Sequence, residues 1–106
     1  MAVMIKRGDT RTAIRASLVE ANGAAADLTG AAVRFLAADL KGSPLVARAA
    51  DVLDATRGTV LFAWESPETD KAGTYRAEFE VAYPDGRTQT YPNDGYITIE
   101  ILPDLG

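Results

Sequence analysis

The residues that come closest to a catalytic pair are two glutamates, Glu78 and Glu80, in a segment where polar and apolar residues alternate. On a β-strand they would project from one face about 7 Å apart, which is within the range of the carboxylate pairs of glycoside hydrolases. Arg76 shares that face, however, and a row of mixed charges on one strand face is typical of a solvated surface. We therefore predict that this row is surface and has no catalytic role.

The chain contains no histidine and no cysteine, which removes most nucleophiles, general bases and transition-metal ligands. A serine hydrolase would need a lysine instead, but Ser43 and Lys41 lie in a Gly-Ser-Pro segment that indicates a turn. Asn93 and Asp94 could ligate Ca²⁺, although a turn held by their own side chains fits the segment better. We predict no catalytic residue, no cofactor and no metal site, and hence a protein that is not an enzyme.

Length and charge narrow the class of protein further. A chain of 106 residues is long enough for one domain with one core, so we expect a single domain over residues 1–106. The net charge of −4 counts against nucleic acid as a partner, because a nucleic-acid binder normally presents a basic face. No apolar run approaches the roughly 20 residues of a membrane-spanning helix, and the N-terminus lacks the apolar segment of a signal peptide. The absence of cysteine fits synthesis in a reducing cytoplasm.

Alternation with a period of two residues dominates the second half of the chain. Between Tyr75 and Tyr83 the odd positions are apolar and most even positions are charged, which predicts a strand with one buried face. The Pro-Asp-Gly sequence at 84–86 then predicts a hairpin with a bulge at Gly86. Because Pro92 cannot donate a ladder hydrogen bond, we expect the returning strand to be divided into about 87–91 and 96–102.

The first half also consists of short segments that favour strands. They are separated by turns such as Asn22-Gly23, and they cover residues 2–6, 14–19, 33–35, 46–52 and 59–64. The segment 46–52 is rich in alanine and has helical propensity, but its neighbours are all strands, so we interpret it as a strand. The total of about seven strands with regular turns indicates an all-β sandwich or barrel.

The segment DKAGTYRAEF at 70–79 makes the fold prediction more specific. In immunoglobulin-like domains a D-x-A/G-x-Y-x-C pattern leads into a central strand, and the Tyr hydroxyl binds the backbone upstream. Tyr75 occupies the Tyr position, and Ala77 stands where the Cys would be. We predict an immunoglobulin-like antiparallel β-sandwich without a disulfide, in which Tyr75 is buried and Ala77 is a core residue.

Motifs along nearly the whole chain carry a resemblance to one family. In order they are IKRGDTRTAIRASL, DLTGAAVRF, DATRGTVLFAW and DKAGTYRAEFEVAYPDGRTQTYPNDGYITIEI. The sequence resembles the immunoglobulin-like N-terminal domain of phage baseplate upper proteins and its small stand-alone relatives in tailed phages. The resemblance implies a structural component of the virion, made in the bacterial cytoplasm. It would assemble with other tail, baseplate or head-neck proteins, as a homo-oligomer or ring within the particle. The alternative is a module that binds the host surface or a glycan.

Candidate contact residues are aromatic, because aromatic side chains often dominate interface energy. They are Trp64, Tyr83, Tyr91 and Tyr96. Trp64 is interpreted first as core at one end of the sandwich, with an interface anchor as the alternative. The three tyrosines surround the last hairpin, where we expect one or two to be exposed. Free sheet edges are the other candidates for partner binding, and we expect them at strand 2–6 and at the divided last strand.

Overall fold

The computed structural model describes residues 2–105. Within that range it contains nine β-strands and no helix, and therefore no helix that could cross a membrane. The strands are β1 (Ala2–Lys6), β2 (Ala13–Ser17), β3 (Ala32–Asp39), β4 (Pro44–Ala49), β5 (Asp51–Asp54), β6 (Thr59–Ala63), β7 (Gly73–Ala82), β8 (Thr88–Tyr91) and β9 (Ile97–Leu102). The all-β prediction is confirmed. The count is nine instead of about seven for two reasons. The predicted strand at 46–52 is two strands, β4 and β5, and the last strand is divided, as predicted, into β8 and β9.

The strands form two sheets that face each other as a sandwich. The large sheet has the order β1-β9-β7-β3-β4, and β8 pairs with β7 on the same edge as β9. The small sheet has the order β2-β6-β5. Pairing is antiparallel, as predicted, in all but one of the strand pairs of residues 2–105. The exception is β1, which runs parallel to β9.

The predicted strand at 46–52 is in fact two strands in different sheets. β4 belongs to the large sheet and β5 to the small sheet, and Ala50 alone separates them. The Ala50 amide donates to the Val33 carbonyl at 2.9 Å, which holds the crossing point against β3. The chain thus closes one side of the sandwich by passing from sheet to sheet. The alanines that suggest a helix serve here as small residues on a strand.

Inward-facing side chains from both sheets build the core. Phe35 of the large sheet stacks on Phe62 of the small sheet with ring centroids 4.2 Å apart. Phe79 packs against Phe35 edge to face at 5.1 Å. Ala77 is fully buried among these residues, which confirms its predicted core position. Apolar packing between the sheets occupies the place that a disulfide holds in antibody domains.

Tyr75 begins the buried face of β7. Its ring is buried, and its hydroxyl donates a hydrogen bond of 2.8 Å to the carbonyl of Lys71, four residues earlier. Both features agree with the prediction from the DKAGTYRAEF segment. The hydrogen bond ties the start of β7 to the turn that precedes it.

The hairpin and the division of the last strand are also confirmed. The Gly86 amide donates to the Tyr83 carbonyl at 3.0 Å, and the Tyr83 amide donates to the Arg87 carbonyl at 2.8 Å. Gly86 has φ +86°, the left-handed conformation of a bulge residue, which glycine adopts without steric cost. After β8 the segment 92–96 turns away from the sheet before β9 resumes.

Candidate interaction surface

The glutamate row lies on the outer face of the large sheet, as predicted. Glu80 is opposite Arg34 of β3 and forms a salt bridge with it at 3.7 Å. Glu78 is opposite Leu36. In the part of the chain that the structure describes, no cluster of three or more Asp, Glu, His or Cys residues could hold a metal ion.

Trp64 lies inside the sandwich. It is 3% exposed and packs edge to face against Phe62 at 5.1 Å and Phe35 at 5.9 Å. It continues the inward-facing series of β6, which explains why the ring turns into the core. The structure thus agrees with the core interpretation, and the ring offers no free face to a partner. Its indole N–H has no hydrogen-bond partner among residues 2–105.

Tyr91 is also unavailable to a partner, because it is only 1% exposed. Its hydroxyl lies 2.7 Å from that of Tyr83 and donates to the Glu20 carboxylate at 3.1 Å. Burial, together with the hydrogen bond to Tyr83, raises the pKa of Tyr91 well above its usual range. The expectation that Tyr91 is a contact residue is therefore corrected: it joins the last hairpin to the distant segment around Glu20.

Tyr96 is the predicted contact residue that lies most openly at the surface. It ends the segment between β8 and β9 and is 52% exposed. The guanidinium of Arg76 lies 5.5 Å from the centre of its ring, within cation–π range. The ring is thereby held against the outer face of the large sheet. Tyr83, the fourth predicted residue, is half-buried.

A depression of about 390 Å³ lies beside Tyr96 on the outer face of the large sheet. We call it the outer-face depression. Apolar side chains of β3, β4 and the hairpin between them form one part of its lining: Leu36, Ala38, Leu40, Pro44 and Ala47. Three larger residues complete it, Arg76 and Glu78 from β7 and Tyr96 from the 92–96 segment. The hollow exists because the short side chains of Ala38 and Ala47 lie between longer neighbours. Leu40, at the hairpin tip, is an exposed apolar residue on its rim.

A second depression, the edge cleft, lies on the other side of Tyr96. Its volume is about 330 Å³, and it opens between β2 of the small sheet and the 92–96 segment that joins β8 to β9. Buried or half-buried apolar residues form much of its wall: Ala16, Leu18, Phe79, Tyr91 and Ile97. Tyr96 thus separates two apolar hollows, one on a sheet face and one at a sheet edge.

The predicted free edges are found in part. β1 is an outer strand of the large sheet, as expected, and β8 has a free side. β9 does not, because β1 covers the side that faces away from β7. The expectation of a free edge along the last strand is therefore wrong for its second half.

A comparison with models of known protein families identifies the family of this chain. Residues 2–93 match the model of the BppU N-terminal domain, and so the match covers most of the chain. The chain belongs to the BppU N-terminal domain family. This family is the N-terminal domain of phage baseplate upper proteins, so the chain is a phage baseplate-related structural domain. The family predicted from the sequence motifs is confirmed.

One solved structure supports the fold. The N-terminal domain of phage TP901-1 ORF48 is similar with a TM-score of 0.65 and 21% identity, over 98% of this chain and 85% of that chain. CopC from Methylosinus trichosporium OB3b matches with a TM-score of 0.48 and 16% identity, over 98% of this chain and 88% of that chain. No curated protein matches the sequence.

Proposed function

We propose that this chain is a non-enzymatic structural component of a tailed-phage virion that acts by binding other virion proteins. The observation that carries the proposal is the family match over residues 2–93. The chain would be made in the cytoplasm of the bacterial host and would enter the particle in several copies. Its partners would be other proteins of the tail, baseplate or neck.

The surface around Tyr96 supports a role in protein contact. Tyr96 and Leu40 are both about half exposed, and they flank the outer-face depression. Tyrosine and arginine are enriched in the central parts of protein interfaces, where an apolar floor lies beside a few polar groups. Arg76 supplies such a polar group and also stacks on Tyr96. We infer that this face binds a neighbouring virion protein.

Purified particles of a phage that encodes the chain provide the test. Quantitative mass spectrometry should find it in a fixed ratio to the major tail proteins, and particle imaging should place it at one position. An abundant non-structural phage protein serves as the control for contamination. If the chain is present in infected cells but depleted from particles to the level of that control, the proposal is wrong.

Binding to the host surface is the second candidate, because a half-exposed tyrosine beside Arg76 and Glu78 also suits stacking and hydrogen bonding to a sugar. A glycan array separates the two. Binding of the wild-type chain to specific glycans, lost in Tyr96→Ala, would favour the second candidate. The proposed structural role predicts no such binding.

A further inference from the structure

The small sheet has two free edges, and the first of them is β2. The Leu18 amide donates to the Gly58 carbonyl at 2.8 Å, which extends the ladder between β2 and β6. Because backbone groups alternate in direction along an antiparallel strand, Ile14 and Ala16 bond to β6, while Arg15 and Ser17 direct theirs outward. These outward groups have no backbone partner in residues 2–105.

The second free edge is β5, on the opposite side of the same sheet. Arg15 and Asp51 are both opposite Leu61, so all three residues form one row across the sheet. By the same alternation, Leu61 directs its N–H and C=O toward β5. There they form backbone hydrogen bonds with Asp51. The N–H and C=O of Val52 therefore face away from the sheet.

The two ends of this row carry opposite charges. Arg15 lies at the β2 edge and Asp51 at the β5 edge, and both are exposed. Within the described part of the chain neither takes part in a salt bridge or a side-chain hydrogen bond. Other charges of the described range, such as Lys41 and Asp70, also lack a salt bridge, but they do not lie on this row. An unpaired cation and an unpaired anion thus stand at complementary edges of one sheet.

Apolar surface accompanies both edges. The edge cleft opens on the inner side of β2, next to Ala16 and Leu18. At the other edge Leu53 is half exposed, and Val52 faces the core from the end of the sheet. A strand placed beside β2 would therefore find unpaired backbone groups in its own plane, a positive charge on the outer face and an apolar hollow on the inner face.

We propose that the β2 edge of one copy of this chain pairs with the β5 edge of a second copy, so that the small sheet continues from copy to copy. Arg15 of one copy then faces Asp51 of the next. β2 and β5 both run antiparallel to β6, so they share one direction, and the new pair is parallel. The contact joins two different surfaces, and repetition gives a ring or an open chain.

This inference rests on the proposed function in one respect, namely that the chain acts by binding proteins. The second copy is favoured over a foreign protein because the matching charge lies on the same row of the same sheet. Backbone pairing between edges supplies the contact, and the charge pair sets the choice of edge.

Sedimentation of purified protein over a concentration series, at low and at high salt, tests the proposal. The wild-type chain should associate, and association should weaken at high salt because the charge pair is screened. Arg15→Asp and Asp51→Arg should each weaken association by about tenfold or more, since each variant places like charges at the junction. The double variant R15D/D51R should regain it. An equimolar mixture of the two single variants should also associate, because every mixed junction pairs an acid with a base.

Two variants with the same change in charge serve as controls. Lys41→Asp lies in the hairpin between β3 and β4, and Asp70→Arg lies in the loop before β7, so both should associate like the wild type. Circular dichroism melts should show that all variants are folded.

A wild-type chain that stays monomeric over the whole series would overturn the proposal. Single variants that associate as well as the wild type would also overturn it. Both outcomes are independent of whether virions contain the chain, so the proposed function stands or fails separately.

Discussion

The hydroxyl of Tyr75 donates a hydrogen bond of 2.8 Å to the backbone carbonyl of Lys71. This bond closes the turn that leads into β7, the strand that pairs with β3, β8 and β9. Burial is the main reason that the pKa of Tyr75 is raised, with the negative charge of Asp39 as a second cause. The neutral hydroxyl is therefore the form that the fold favours.

Removal of this hydroxyl should destabilise the domain. Tyr75→Phe keeps the buried ring and loses the bond to Lys71, and we expect a loss of about 1 kcal/mol in the free energy of unfolding. Urea denaturation followed by circular dichroism measures the change. Tyr96→Phe, at an exposed ring, is the control and should unfold like the wild type. Equal midpoints for Tyr75→Phe and the wild type would contradict the role of the bond.

The pair between Arg48 and Glu68 should make stability depend on pH. The hydrogen bond from Arg48, 2.8 Å from Nε, lowers the pKa of Glu68. A carboxylate whose folded pKa is lowered stabilises the fold above its unfolded pKa, about 4.3, and that stabilisation is lost as pH falls through the folded pKa. Glu68→Gln should therefore be less stable than the wild type at neutral pH, and the difference should shrink in acid.

Unfolding measured from pH 7 to pH 2 checks this expectation. Glu78→Gln is the control, because Glu78 forms no salt bridge with another residue of the described range. A difference between Glu68→Gln and the wild type that stays constant over this range would show that the charge of Glu68 is not the cause.

The hydroxyl of Tyr91 should stabilise the junction between the last hairpin and Glu20. Tyr91→Phe removes both of its hydrogen bonds, and we expect a loss of roughly 1–2 kcal/mol. Tyr91→Ala, which also empties a fully buried site, should cost roughly 3–5 kcal/mol. Denaturant unfolding measures both. A cost of Tyr91→Phe near zero would mean that the network adds nothing to stability.

The raised pKa of Tyr91 has a consequence in alkali. Stability that depends on the neutral hydroxyl is complete below the pKa of an unfolded tyrosine, about 10, and is lost as pH rises through the folded value. Ultraviolet absorbance should show a tyrosine that ionises late, together with unfolding. Because the pKa of Tyr75 is raised as well, some late ionisation should remain in Tyr91→Phe. The late component should be smaller there than in the wild type, and an unchanged amplitude would contradict the assignment.

Tyr96→Ala should separate binding from stability. The ring is half exposed, so we expect a change of at most about 0.5 kcal/mol in the free energy of unfolding. Incorporation into particles should fall, because the surface beside the outer-face depression loses its largest side chain. Leu105→Ala is a matched control, since Leu105 is an exposed apolar residue that lines neither depression. Normal incorporation of Tyr96→Ala would exclude this surface as the contact.

Gly58 should tolerate no side chain. Its φ is +67°, and an added Cβ would lie 2.7 Å from the carbonyl oxygens of Leu18 and Ala26. Gly58→Ala should therefore cost at least about 2 kcal/mol, from backbone strain and steric overlap together. Gly23→Ala shares the left-handed backbone but meets no atom within 4 Å, so it should cost less. Thermal melts of the two variants give the comparison, and equal melting temperatures would refute it.

The strands of the second half could be predicted from the sequence because their alternation is local. One face of β7 is charged and the other apolar, and no other element is needed to interpret it. The passage from β4 to β5 could not be predicted, since no turn residue marks Ala50 within the alanine-rich segment and the change of sheet depends on the partners of each half. β4 pairs with β3 and β5 pairs with β6, and these two pairings place the two halves in different sheets.

The candidate site was predictable only in part. Tyr96 was singled out by type and position, but Trp64 and Tyr91 share the same chemistry and are buried. Trp64 packs against Phe35 and Tyr91 bonds to Glu20, and both partners are far away in sequence. Leu36 and Ala38 did carry a signal, because the alternation of β3 stops there and its outer face becomes apolar.

The parallel pairing of β1 with β9 has a mechanical consequence. β1 starts opposite the start of β9, so the N-terminal end of one strand and the C-terminal end of the other lie at opposite ends of the ladder. A pull on the two chain ends would slide these strands along each other and load their hydrogen bonds together, in shear, instead of opening them one after another. Force spectroscopy on this domain should show an abrupt rupture at high force. Such resistance would suit a part that must transmit tension.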